Sequence, residues 1–466
     1  MTGMDSMDGI DCIDGMDVKR AALMAAILAS FLTPFTVSSV NIALPAIAGE
    51  FRVDAVLLGW IATSYLLSAA VFLVPSGRIA DIRGRKKVFG LGVTVFTVAS
   101  LFAALSPSAE ALIAARTLQG VGSAMIFGTG MAILTSVYPP DERGKVLGIN
   151  IAAVYIGLSL GPFLGGVLTQ HFGWRSIFLL NIPLGAAILL ILRELRGEWA
   201  EAEGEEFDVV GSVIYGIMLS SLIFGLTEVD FMEPLIGISI LSFLAFLVWE
   251  SRARHPVIQV GLFRRNSTFT LSNLAALLNY SATFAVGFLL SLYLQYIKGF
   301  SPQEAGIILV SQPVVMALLS PLAGWLSDRV EPRTVASAGM AVITASLLLF
   351  YIMDAYTPLS VIIPALMLLG FGFAMFTSPN ANAIMGSVER KFYGIASATL
   401  GTMRLLGQMF SMAIVMFIFS VYIGKAQITP ETYRLLLESI RMSFGVFSII
   451  CFTGIFISLG RGKIRE

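Results

Sequence analysis

Two arginines give the sharpest chemical signal in this chain. Arg116 and Arg404 each stand inside a long apolar run. A charge held there is costly and marks a functional candidate. Arg404 lies about 12 residues into its run, about 18 Å along a helix and close to the middle of a bilayer. A structural arginine satisfied by backbone carbonyls would occupy the same place. The 30 acidic residues follow the opposite rule, for none falls in the middle of an apolar run. Those nearest are Glu110 and Glu304, at the starts of two runs, and Glu228 and Glu250 at run ends. His171 and His255 fall in expected loops, and Cys12 and Cys451 form no framework. No metal-ligand cluster, nucleophile–base pair or GxxxxGK[ST] phosphate loop is visible. Enzyme chemistry and direct ATP drive are therefore disfavoured, and no cofactor or metal is expected. A receptor role lacks an attached signalling domain.

The elements that must hold these residues are membrane-length helices. Hydrophobic residues make up 56% of 466 and charged residues 13%, with a mean hydropathy of +0.85. Such a balance lies outside that of soluble domains. A helix crossing the hydrocarbon needs about 20 apolar residues. Runs of that kind are predicted near 21–48, 55–76, 88–106 and 109–138, then after Asp141–Lys145, then up to Arg193. They continue at 209–228, 233–249, 267–297, from Ser301–Gly306 onward, and at 335–352, 358–379, 392–421 and 440–459. Residues 1–19 form an acidic tail with aspartates at 5, 8, 11, 14 and 17. The tail lacks the basic start and apolar core of a signal peptide and is expected to be disordered. A net charge of zero gives no hint of nucleic acid.

The fifth run contains Gly157, Gly161, Pro162, Gly165 and Gly166. Gly157, Gly161 and Gly165 recur every four residues and line one helix face. Such a face lets two backbones approach closely in lipid, and Pro162 bends the helix. A polar turn follows, with Trp174, Arg175, Phe178, Asn181, Pro183 and Gly185 in a WRxxFxxNxPxG string. The glycine–proline helix resembles the antiporter motif of the major facilitator superfamily. The string is similar to the start of helix six in that family's 14-helix drug:proton antiporter branch. The same glycines would also serve simple helix packing, with no bearing on transport direction.

Further segments carry the resemblance across residues 20–460. Gly77, Asp81, Gly84 and Arg85, followed by Lys86 and Lys87, resemble the family's motif A between helices 2 and 3. There glycine permits a tight helix contact, aspartate pairs with nearby donors, and the basic cluster fixes a cytoplasmic loop. In the family this loop locks the outward-facing state. Gly324 and Asp328 repeat the spacing. Arg116, Gln119, Gly120 and Gly122 resemble motif B. Asp81 and Asp328 are 247 residues apart, whereas six spans with short loops need about 180–200. The surplus of about 50–60 fits two inserted helices. The resemblance therefore implies an all-α integral membrane protein with the major facilitator fold and 14 transmembrane helices, as six plus two plus six. The boundaries are a first half at 20–193, a charged cytoplasmic linker at 194–208 and inserted helices at 209–250. A basic cytoplasmic loop at 251–266, a second half at 267–460 and a tail at 461–466 complete the chain. Most lysines and arginines fall inside when both termini are cytoplasmic.

In such a fold the binding site lies near the midplane between the halves. The expected lining is Thr36, Asn41, Tyr65, Arg116, Gln119, Tyr155, Asn279, Gln295, Gln312, Asn380, Arg404 and Gln408. Phe35, Phe284, Phe288, Phe371, Phe373 and Phe376 would suit a lipophilic cargo, although most phenylalanines here would face lipid or neighbouring helices. The resemblance implies export of amphipathic, drug-like molecules by alternating access, in exchange for protons, by a cell-membrane protein taken as a monomer. One departure stands out. Members of the branch often carry an aspartate in helix 1, where this chain has Thr36. A proton antiporter needs a titratable group exposed to each side in turn. Glu110, about one and a half turns before Arg116, is the first candidate and Glu304 the second. A charge complementing a helix dipole would explain Glu110 equally. Export of one specific metabolite, or transport without proton coupling, remains the alternative on the same fold.

Overall fold

The computed structural model describes residues 7–195, 197–228, 231–252, 263, 266–389 and 393–462. Fourteen of the described helices are long and apolar enough to cross a membrane. They are α1 (Val18–Phe51), α2 (Ala55–Arg83), α3 (Arg85–Ala104), α4 (Ala109–Val137), α5 (Glu142–Phe172), α6 (Arg175–Glu194) and α7 (Val209–Thr227). Then come α8 (Met232–Glu250), α9 (Ser267–Ile297), α10 (Pro302–Ser327), α11 (Pro332–Tyr351), α12 (Leu359–Gly386), α13 (Ile395–Tyr422) and α14 (Tyr433–Gly460). The even count returns the chain to the face where it began, called here the near face; the opposite one is the far face. The architecture is the expected all-α fold, six helices plus two plus six.

One packing scheme occurs twice. In the first six helices α1 packs on α5 and α6, α4 on α2 and α3, and α3 on α6. In the last six α9 packs on α13 and α14, α12 on α10 and α11, and α11 on α14. The halves then meet crosswise, α2 against α13 and α10 against α5. The inserted pair α7 and α8 leans on one of these seams, where Tyr215, Leu219 and Ile223 bury themselves against Leu67, Ala70, Met409 and Ala413.

The glycine stripe explains how α1 and α5 come so close. A Cβ at Gly161 would sit 2.5 Å from that of Ser38, and one at Gly165 2.7 Å from the Ser39 Cα. Pro162 cannot donate to the Leu158 carbonyl, and Ser38 Oγ takes that place at 3.2 Å. Beside it Ser39 Oγ donates to the Gly161 carbonyl at 2.9 Å. The close approach thus lets α1 satisfy the groups that the proline leaves open. Near its middle α9 is interrupted, and the Ala285 amide donates to Ser411 Oγ of α13 at 3.0 Å.

Two expectations need correction. The first helix begins at Met7, inside the tail expected to be disordered. A helix already nucleated by a membrane span extends with one hydrogen bond gained per residue fixed, which favours this extension. The tight contact expected at Gly324 is not seen among the described residues, for a Cβ there would meet open space, whereas Gly77 packs its backbone on α4: a Cβ at Gly128 would lie 3.3 Å from the Gly77 amide nitrogen. The basic loop expected over 251–266 and the tail over 461–466 lie largely outside the described residues.

Candidate functional site

At the far face, hydrogen bonds join the two halves. Pro45 of α1 has no amide to give the Asn41 carbonyl, and Ser291 Oγ of α9 donates to it at 2.8 Å. Gln295 Nε2 donates to the next carbonyl, Ile42, at 3.0 Å and to Ser291 Oγ at 2.9 Å. Asn41 therefore enters through its backbone. Close by, His171 Nε2 lies 3.1 Å from Gln303 Oε1. A Cβ at Gly166 of α5 would lie 2.5 Å from the Pro302 carbonyl oxygen of α10. The loop before α14 joins in, since the Ala55 amide donates to the Ala426 carbonyl at 3.1 Å and Gln427 Nε2 to that of Arg52 at 2.6 Å.

Inside the first half, four expected lining residues belong to one buried polar network. Thr36 Oγ1 donates to the Leu32 carbonyl at 2.8 Å and lies 3.1 Å from Asn181 Oδ1. Asn181 Nδ2 and Gln119 Nε2 both donate to Ser100 Oγ, at 3.3 and 2.7 Å. Gln119 Oε1 accepts from Arg116 Nη1. Arg116 Nε donates to the Ile61 carbonyl at 3.2 Å, and its guanidinium lies 4.3 Å from the Tyr65 ring centre. Tyr65 in turn donates to Ser123 Oγ at 2.6 Å. Every side chain in this network except Thr36 and Tyr65 comes from α3, α4 or α6, and the residues are buried. The WRxxFxxNxPxG string thus supplies Asn181 as a partner of Thr36. It also anchors the end of α1, because Trp174 Nε1 and Arg175 Nη1 donate to Glu50 Oε2 at 2.7 and 2.8 Å.

Arg404 behaves differently. Its guanidinium makes no hydrogen bond or ion pair among the described residues and lies 5.6 Å from the Tyr280 ring centre. Tyr280 in turn lies 6.4 Å from the Phe373 ring. Tyr155, from α5 of the other half, is near enough to both Tyr280 and Arg404 to interact electrostatically. Arg404, Tyr155, Tyr280 and Gln408 are half-buried. Here two expected residues from opposite halves, Tyr155 and Arg404, come together; Tyr280 was not singled out in the sequence.

Other expected residues lie elsewhere. Asn380 Oδ1 accepts at 2.7 Å from Arg461 Nη1, a buried arginine just beyond α14 that sequence reasoning missed. The same nitrogen donates to Ser272 Oγ at 3.0 Å, and Arg461 Nη2 to Ser458 Oγ at 2.6 Å. Burial pulls this guanidinium down to about 10, which leaves it charged at neutral pH. Asn279 is fully buried with both side-chain polar atoms unpaired, seven residues beyond Ser272 on the same face of α9. The backbone of Gln312 lies against Gly370 of α12. Glu110 and Glu304 are exposed at the first turns of α4 and α10. Glu304 closes a capping box, accepting from the amide and hydroxyl of Ser301 at 2.9 Å each.

At the near face, Asp81 Oδ1 accepts from Arg85 Nε at 2.9 Å, and Arg85 Nη1 donates to Glu201 Oε1 of the charged linker at 2.7 Å. The linker also meets the loop through its backbone: the Arg85 amide donates to the Trp199 carbonyl at 2.8 Å and that of Ala202 to the Asp81 carbonyl at 2.9 Å. Lys86 reaches the Leu195 carbonyl and Arg78 pairs with Glu205. Gly84 has φ +113°, a conformation that glycine alone adopts freely.

The family model for the Major Facilitator Superfamily matches residues 26–272 and 272–463, nearly the whole chain. The chain belongs to the major facilitator superfamily. Its relatives place it with the superfamily's drug-efflux branch. They include the multidrug resistance protein Stp of Mycobacterium tuberculosis, 28% identical over 88% of this chain and 78% of that one. The cephamycin export protein CmcT of Amycolatopsis lactamdurans is 32% identical over 85% and 84%. The riboflavin transporter RibZ of Clostridioides difficile is 29% identical over 95% and 98%. Among solved structures, the peptide transporter POT in complex with sulfate superposes with a TM-score of 0.69 at 15% identity, covering 93% and 94%. Like other members of the superfamily, the chain is a multi-pass membrane protein that transports small molecules.

Proposed function

We propose that the chain exports amphipathic, drug-like molecules across the cell membrane by alternating access, with its near face and both termini in the cytoplasm. The observation that carries this reading is the gathering of inter-half hydrogen bonds at the far face, from Asn41 to Ser291 and from Ile42 to Gln295. With open space beside Gly324 near the other face, that is one end state of a rocking cycle, closed outward. Relatives named for multidrug resistance and cephamycin export support the outward direction and the cargo class. The cargo site is the seam where Tyr155 lies near enough to Tyr280 and Arg404 of the other half to interact electrostatically, with Phe373 beside Tyr280.

Proton exchange is the drive that the resemblance implies. A second reading, transport without a protein-borne proton, is favoured by one observation. The described spans carry Asp and Glu only near their ends, and Thr36, at the family's usual acidic position, is held against Leu32 and Asn181. The test is transport by purified protein in proteoliposomes, using cationic, neutral and anionic fluorescent amphiphiles under an imposed pH gradient. Protein-dependent movement of at least one probe is expected. A folded protein that moves none ends the export reading. Movement that follows the pH gradient supports proton exchange, and movement indifferent to it supports the second reading.

A further inference from the structure

Resting on that reading of the seam, we propose that the cargo is an organic anion, bound through Arg404, whose charge crosses the membrane with it. The argument begins with which arginines have donors to spare. Arg116 is buried and bonds to the Ile61 carbonyl and Gln119, with Tyr65 against its face. Arg461 is buried and bonds to Ser272, Asn380 and Ser458. Arg404 alone of these three has none of its donors used by the described protein, and it is half-buried rather than sealed. A guanidinium offers five donors in a fork that matches a carboxylate, sulfonate or phosphate. Left without an anion at membrane depth, its charge is costly.

The surroundings favour the same ligand. Tyr280 offers ring surface beside the guanidinium, Phe373 backs Tyr280, and Tyr155 of the other half is near enough to interact electrostatically. Such a group would hold a ring system that carries an acidic substituent. A cationic cargo would find no carboxylate there, since the described acidic residues of the spans sit near helix ends. It would also meet the unopposed charge of Arg404. Aromatic and charged groups from both halves near one another place the anion where rocking exchanges its exposure from one face to the other.

An anion also changes the energetics of export. Moving one negative charge out of a cell with a negative interior is favourable, by about 50-fold in concentration ratio per 100 mV. No carboxylate on the protein need then carry a proton, which is consistent with a neutral Thr36.

The experiment uses the full chain in proteoliposomes with a potassium-diffusion potential set by valinomycin. The probe is 8-anilinonaphthalene-1-sulfonate, an aromatic anion whose charge does not change with pH; ethidium is the cationic counterpart and a neutral fluorescent amphiphile the third. The sulfonate is expected to accumulate in vesicles made positive inside and to be expelled when the sign is reversed, with little response to a pH gradient. Ethidium is expected to move at least 10-fold more slowly. Arg404→Ala should cut sulfonate flux at least 10-fold with the thermal unfolding temperature unchanged, and Arg404→Lys should restore part of it. Ethidium or the neutral probe moving while the sulfonate does not would overturn the anion proposal and leave export standing. Full sulfonate flux in Arg404→Ala would overturn the role of Arg404. Immobility of all three probes with folded protein would overturn both export and the anion.

Discussion

Arg116, Arg404 and Arg461 are chemically identical, and their partners alone separate them. Arg461 is a fastener: one side chain ties Ser272 of α9, Asn380 of α12 and Ser458 of α14 at the near face. Removing it leaves buried polar atoms unpaired, at a cost of about 1–3 kcal/mol for each group. Arg461→Ala is therefore expected to lower the unfolding temperature in detergent by several degrees, measured by differential scanning fluorimetry. Arg404→Ala should not, because no described protein group loses a hydrogen bond. In the first half, Asn181→Ala removes the amide between Thr36 and Ser100. It should destabilise by about 1–3 kcal/mol, read in the same assay, and an unchanged melting curve would show that the network does not hold α1 to α6.

Prolines and small residues set the behaviour of whole helices. Pro45 and Pro162 each leave a carbonyl open, and in both cases a serine on a neighbouring helix fills it. The two bonds do different jobs. Ser38 joins α1 to α5 within one half and is expected to persist through the cycle. Ser291 joins α9 to α1 across the halves and must break when the far face opens. Ser291→Ala removes about 1 kcal/mol of the far-face closure, shifting the equilibrium toward the far-open state about 5-fold. Cysteine accessibility at far-face positions should rise accordingly; unchanged labelling would show that the bond does not bias the cycle. The glycine face admits a sharper contrast. Gly161→Val drives a branched side chain into Ser38 and should abolish folding into the membrane. Gly148→Ala, which meets nothing within 4 Å, should leave expression unchanged.

For the molecule as a whole, the decisive feature is that hydrogen bonds join two similarly packed halves at one face while the charged linker grips the loop at the other. Asp81, Arg85 and Glu201 join the end of α2, the start of α3 and the linker in one ion-pair cluster. Any movement of the first half therefore carries the linker with it. Asp81→Ala leaves Arg85 with Glu201 of the linker and Ser136 of α4, and is expected to slow conformational cycling more than it weakens cargo binding. Transport turnover and equilibrium binding, measured side by side, would check this. Weakened binding with unchanged turnover would contradict it.

Hydropathy determined the helix count, because a span must satisfy its own backbone and so writes its length into local sequence; the spacing of the repeated motif pointed to the six-plus-two-plus-six order, and the resemblance of the motifs pointed to the family. That Arg404 stands inside a span was legible for the same reason. What required the tertiary structure was which way each polar side chain turns. Thr36, Gln119 and Arg116 share helices with expected cavity residues, yet their hydrogen bonds run to α6, α3 and the α2 backbone. Asn380 is held by Arg461, 81 residues further along the chain. Hydrogen bonds join residues far apart in sequence, and a single chain's pattern of polar and apolar types does not specify the partner. The open space at Gly324 has the same origin: whether a helix face is covered depends on how the two halves stand, a property of the assembled molecule rather than of any segment.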